Sequence, residues 1–222
     1  MWEKYRGQTP FHYCGNNPLI FRDPSGLGEE EVNNAAQKVQ ETVTQIETLA
    51  EQNKEKKIEF AATGVNQADG SIKMSDIVRG NEGEATISVS DVDVSIHNHT
   101  PYGQPTTASA DDILKLALYG KQGAIHFVTA GDGNRVAVEI NDVEAARTFA
   151  NNQLKVGEDQ AVTNLGFQFS VGMMAVGGKP KNLSIADIPT NLKSKGVAKI
   201  LDQNDTGMSI YVQNNGGTYE KK

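Results

Sequence analysis

Apolar residues recur at helical spacing through Val32, Ala35, Ala36, Val39, Val43, Ile46, Leu49 and Ala50, following the i, i+3, i+4, i+7 template. The stretch from Gly28 to Lys57 is therefore predicted as one long amphipathic helix, with Glu29 to Glu31 well placed at its electropositive amino end. The period then drops to two. Strands are predicted over 58–65 and 71–79, joined at Ala68-Asp69-Gly70 by an Asp-Gly hairpin signal, and a further strand over 85–97. A loop, 100–108, carries two prolines and a glycine, after which Ser109 reads as the cap of a helix reaching Tyr119. Ile113, Leu114, Leu116, Ala117 and Leu118 would pack that helix on the sheet, and Gly120 and Gly123 flank its end. Strands 124–129 and 135–140 form a second hairpin about Gly131-Asp132-Gly133-Asn134, followed by a helix from Asp142 to Leu154. Beyond Ala161 the run Phe167 to Val176 fits either a strand or a buried helix, because short apolar runs do not separate the two. Pro189 to Leu201 reads as helix despite Gly196, Met208 to Val212 as strand, and residues 204–222 end in a Gly-Gly and Lys-Lys tail expected to fray.

Within the strand 85–97, Val92, Val94 and Ile96 mark one face, so the pleat sends His97 and His99 to the other. Two imidazoles thus converge just before a helix whose first turn carries Asp111 and Asp112. Imidazole and carboxylate suit Zn²⁺, and a catalytic zinc takes three protein ligands with one position open. His97, His99 and an aspartate make such a set. The plainer alternative is that the histidines are exposed loop residues and that Ser109 with its aspartates is only a helix cap. With four histidines in the whole chain, two on one strand face directly ahead of the cap favour the metal. His126, alternating within the strand 124–129, reads as structural, with contact to substrate or support of a metal ligand as the lesser alternative. The tripeptide His97-Asn98-His99 is unrelated to HNH nucleases, whose named residues are dispersed over a ββα unit.

His-x-His, a short loop and then Ser-x-x-Asp resembles the JAMM motif of the JAB/MPN-domain metalloproteases, a group that includes deubiquitinating isopeptidases and bacterial relatives. The resemblance implies an α+β fold in α/β/α layers, a JAB/MPN-like (cytidine-deaminase-like) mixed sheet flanked by helices with a single zinc site. It implies His97, His99 and Asp112 as zinc ligands and Ser109 beside the reacting carbonyl. It also calls for a glutamate on an earlier strand as general base, and Glu59, opening the strand-like run 58–65, is the best candidate; Glu82 and Glu84 are weaker, in a glycine-flanked loop. Counted from Ser109, only Asp112 satisfies Ser-x-x-Asp; counting from Thr107 would require Ala110, which cannot ligate. The chain departs from the family in having Thr100 where a proline follows the second histidine, with Pro101 one place later, and in a longer loop that the Tyr102-Gly103-Gln104-Pro105 stretch can absorb. The implied activity is zinc-dependent hydrolysis of an amide or isopeptide bond in a protein or peptide substrate. Two other readings stand beside it: a metal-dependent nuclease or deaminase toxin, disfavoured by the missing basic groove and the missing Pro-Cys-x-x-Cys, and an inactive JAB-type interaction module, disfavoured by retention of every ligand.

At the amino end, Tyr13-Cys14-Gly15-Asn16-Asn17-Pro18-Leu19 and then Asp23-Pro24-Ser25-Gly26-Leu27 are strong turn signals, and their combination resembles the closing motif of an Rhs repeat core. That resemblance divides the chain into 1–27, the end of an Rhs core, and 28–222, a toxin domain with a core over about 28–155 and an accessory carboxy-terminal region over about 156–222. It implies an effector of a polymorphic toxin, delivered by a secretion system into competing cells from an Rhs shell and countered by a cognate immunity protein.

Composition adjusts this picture at the margins. A net charge of −7 argues against a nucleic-acid target, since phosphate binding needs a basic surface. The single cysteine, Cys14, excludes an intramolecular disulfide and, far from the histidines, makes a weak case for a cysteine protease. No apolar run reaches membrane-spanning length and no signal-peptide core follows Met1, so neither a transmembrane segment nor a signal peptide is expected.

Overall fold

In the computed structural model the described residues are 27–129, 131–176, 185–214 and 217–222. The amino-terminal motif with Cys14 lies outside them. The predicted first helix forms as α1 (Leu27–Gln52), and a single 3₁₀ turn at Lys54–Lys56 leads into β1 (Ile58–Asn66). The chain continues through β2 (Ile72–Met74), β3 (Val78–Glu82), β4 (Val94–Asn98), α2 (Ala110–Tyr119), β5 (Ile125–Thr129), β6 (Asn134–Ile140), α3 (Val143–Leu154), α4 (Glu158–Val176), α5 (Thr190–Gln203), β7 (Met208–Asn214) and β8 (Tyr219–Lys221). The result is an α+β fold: one mixed eight-stranded sheet in the order β2-β1-β4-β5-β6-β7-β8, with β3 also paired to β1.

All pairings are antiparallel except β4 with β5, which are parallel. Parallel neighbours need a crossover, and α2 supplies it. Strand parity divides the apolar residues between two faces. Phe60, Ala62, Val94, Ile96, Ile125, Phe127, Ala137 and Tyr211 meet the buried stripe of α1, while Val128, Val136, Val138, Ile140, Ile210 and Val212 pack with the other four helices.

Several elements differ from the pattern-based expectation, each for a physical reason. The strand expected over 71–79 is two strands, β2 and β3, because Ser75 turns the chain: its N–H donates to the Thr63 carbonyl and its hydroxyl both accepts from Thr63 N and donates to the Asp76 carbonyl. The strand expected over 85–97 is paired only at 94–98. Residues 85–89 alternate between half-buried and exposed, but a turn at Ser90-Asp91, with Asp91 at a φ of 60°, separates them from β4, and β1 already pairs with β2, β3 and β4. Alternation records which side faces protein; a strand also needs a backbone neighbour. The ambiguous run 167–176 lies within α4; the strand expected over Met208 to Val212 forms as β7, paired along the whole of β6, and in the tail expected to fray Tyr219–Lys221 pairs with it as β8. Among the described residues no helix is long and apolar enough to cross a membrane.

Candidate metal centre

β1, β4 and β5 lie side by side, and every polar group of interest leaves them on the face covered by α2. In β4, Ser95 and His97 point opposite to Val94 and Ile96, as the pleat requires. The antiparallel register pairs Ala61 with His97, so Glu59, two residues back, comes opposite His99, two residues on. The parallel register pairs Ser95 with His126 and brings that imidazole beside His97, with ring centroids 4.8 Å apart. His97 and His99 have centroids 4.7 Å apart.

α2 delivers the carboxylate. Ser109 is its N-cap: the hydroxyl accepts from Asp112 N at 3.1 Å and Asp112 Oδ2 accepts from Ser109 N at 2.8 Å, a reciprocal capping box. The cap is therefore real, and it also aims Asp112 at the histidines. Asp112 Oδ2 lies 3.0 Å from His99 Nε2, while Oδ1 lies 3.5 Å from His97 Nε2 and 3.9 Å from His126 Nε2. Ligand atoms of His97, Asp112 and His126 all fall within 4.8 Å of one another, a buried His-Asp-His group that could hold a metal ion. Asp111 turns away and pairs with Lys115 at 2.7 Å.

The charge states of Asp112, His97 and His126 suit a cation. Burial would raise the Asp112 carboxyl, but His97 and His99, a hydrogen bond from His99, and His126 hold it well below the ordinary carboxylate range. Burial pushes His97 down to about 3, with His99, His126 and Lys115 adding to it against the pull of Asp112. His126 is also lowered, by burial first, against Asp112. Burial lowers His99 too, yet Asp112, through charge and hydrogen bond, and Glu59 raise it on balance. Glu59 is raised, chiefly by burial, with Asp112 adding and His99 and the Thr100 contacts opposing.

Zinc fits this donor set. Neutral imidazoles and an ionised carboxylate are what it binds. Among the described residues, His126 Nε2 is one of two buried side-chain polar atoms without a hydrogen-bond partner, and it faces the cluster while Nδ1 lies 2.6 Å from Ser95 Oγ. An unpartnered buried nitrogen is costly unless something binds it.

The cluster lies at a cavity of about 770 Å³. Glu59, Ser109 and the histidines line it, with the extended segment 83–90 on one side and Asp111, Lys115 and Tyr119 of α2 on the other. The sequence-predicted residues Glu59, His97, His99, Ser109 and Asp112 are thus brought together, whereas Glu82 is exposed outside the cavity and Glu84 reaches only its lining. His126, read from sequence as structural, is the residue missed. Its signal was its parity: it alternates with Ile125 and Phe127, and a strand-helix-strand crossover from β4 places it beside His97.

No family model, no curated protein and no solved structure matches the chain. What the fold and the site define is an α+β protein whose mixed sheet carries a buried His-Asp-His group that could hold a metal ion.

Proposed function

We propose that this domain is a zinc-dependent peptidase or isopeptidase of the JAB/MPN type, hydrolysing an amide or isopeptide bond. The observation that carries the reading is the convergence, on one face of the sheet and at one cavity, of the His-Asp cluster with a buried strand carboxylate, Glu59. In this reading His97, His99 and Asp112 hold the ion. A specific observation favours a second choice of third ligand, His126, whose Nε2 is buried and unpaired. A zinc ion there supplies a Lewis acid for the carbonyl and brings the pKa of a water down to about 7.

The chain's own residues do the rest. Glu59, raised by burial, accepts the water proton and returns it to the leaving amine as the C–N bond breaks and a C–O bond forms. Thr100 Oγ1 donates to Glu59 Oε1 at 3.4 Å, so the residue standing at the family's proline position orients the base. Ser109 Oγ accepts from Asp112 N and keeps its own proton to donate to the developing oxyanion. The Rhs-like motif before residue 28 supports an effector role: a cassette delivered into a competitor, with a cognate immunity protein in the producer.

The test couples metal content to cleavage. Protein prepared without chelator is expected to hold about one zinc, and Glu59→Gln to keep it while losing roughly 10²–10⁴-fold of the turnover. New amino termini or released lysine side chains in susceptible cells expressing the wild type, absent with Glu59→Gln, identify the bond. Failure to take up zinc even after refilling would falsify the reading.

A further inference from the structure

The loop that carries His99 toward the helix cap is anchored from α5, 84 to 88 residues downstream. His99 Nδ1 lies 2.9 Å from Thr106 Oγ1, and that hydroxyl donates to the Thr107 carbonyl at 3.3 Å. The hydroxyl is therefore left to accept from His99 Nδ1–H, so Nε2, which hydrogen-bonds Asp112 Oδ2 at 3.0 Å, is the nitrogen that would exchange its proton for a metal. Thr106 is in turn fixed by α5: its backbone N–H donates to Thr190 Oγ1 at 3.1 Å, and the Thr190 hydroxyl donates to Asp132 Oδ2 at 2.6 Å. On one side Lys193 Nζ donates to the Pro105 carbonyl at 2.6 Å and to the Ala186 carbonyl at 3.1 Å; on the other, Thr107 Oγ1 and Ser194 Oγ lie 3.1 Å apart.

Thr190, Lys193 and Ser194 are all buried. A lysine is rarely buried unless it is paired, and this one is spent on two backbone carbonyls. Pro105, Thr106 and Thr107, which belong to no helix or strand, are each tied to α5. We infer that Thr190 and Lys193 are positioning residues of the metal centre: they hold the loop so that Thr106 sets the tautomer and orientation of His99. Groups hydrogen-bonded behind a metal-ligating histidine commonly contribute 10- to 100-fold to metal affinity. The inference rests on the reading of His99 as a ligand.

Cobalt(II) is the probe, titrated into the metal-stripped full chain against a competing chelator while the visible spectrum is followed. Thr190→Val, which keeps the shape but loses both hydrogen bonds, is expected to bind cobalt roughly 10- to 100-fold more weakly with an altered spectrum. Thr190→Ser is expected to restore both, which rescue of packing alone would not do. Lys193→Met, keeping the aliphatic stem, gives the same readout should Thr190→Val fail to fold. Thr190→Val with wild-type affinity and spectrum, while His99→Ala binds weakly, overturns the inference and leaves the metal reading intact. A wild type that takes up no cobalt overturns both, and His99→Ala with wild-type affinity removes His99 as a ligand.

Discussion

At the residue scale, two histidines compete for one role. His99 stands 3.0 Å from Asp112 and has its Nδ1 fixed by Thr106; His126 is more deeply buried, has its Nδ1 at Ser95 Oγ and leaves Nε2 unpaired. A catalytic zinc keeps a position open, so under the proposed function one of the two would be the third ligand and the other would lie beside it. His97→Ala, Asp112→Ala and His99→Ala are expected to lose the ion, while His126→Ala keeps its stoichiometry and loses less than about tenfold in affinity, as befits a supporting residue. Zinc counted by elemental analysis after equilibrium dialysis decides it. Loss of the ion in His126→Ala with retention in His99→Ala moves the third ligand position to His126.

At the element scale, the first turn of α2 has two duties that a single substitution series separates. Ser109 caps the helix, and removing an N-cap oxygen costs about 1 kcal/mol for Ala but only a few tenths for Gly. Ser109→Ala is therefore expected to lower unfolding stability by about 1 kcal/mol and Ser109→Gly by a few tenths. Both lack the hydroxyl, so if it serves the oxyanion both lose turnover alike. Turnover that tracks stability instead, with Ser109→Gly close to wild type, reduces Ser109 to a cap. The same element shows what pattern reading can reach: Ser109, Asp112 and the apolar face of α2 were all legible, because capping and amphipathicity are local. The parallel pairing of β4 with β5 was not, since it depends on where a crossover lands.

At the scale of the whole molecule, the sheet's other face holds a second buried carboxylate, remote from the histidines. Glu139 accepts from the Tyr211 hydroxyl at 2.7 Å beneath the amino end of α1. Burial, with a hydrogen bond and like charge from Glu31, raises it from 4.5 to about 7 against the Tyr211 hydrogen bond and Lys221. The folded protein thus keeps a proton that the unfolded chain has released, so this contribution to stability is full below about pH 4.5 and is lost as pH rises through about 7. Glu139→Gln, neutral at every pH, is expected to shrink the difference in melting temperature between about pH 5 and pH 8. An unchanged difference in thermal unfolding curves argues that Glu139 is ionised in the folded protein. Further along the same seam Arg135 of β6 binds Glu47 of α1, donating from Nε at 2.8 Å and from Nη2 at 2.8 Å.

The sequence by itself determined α1, α2, α3 and α5, the two hairpin turns, and the shared face of His97 and His99, because each follows from a period or a cap within a few residues. It also carried Glu59 and Asp112 as candidates. Tertiary structure decided what depends on neighbours distant in the chain. The alternating segment 85–89 found no strand to pair with, His126 entered the cluster through the parallel register of β5, and α5 became the anchor of the loop behind His99. Local periodicity states which way a side chain points, and only the packed fold states what it points at.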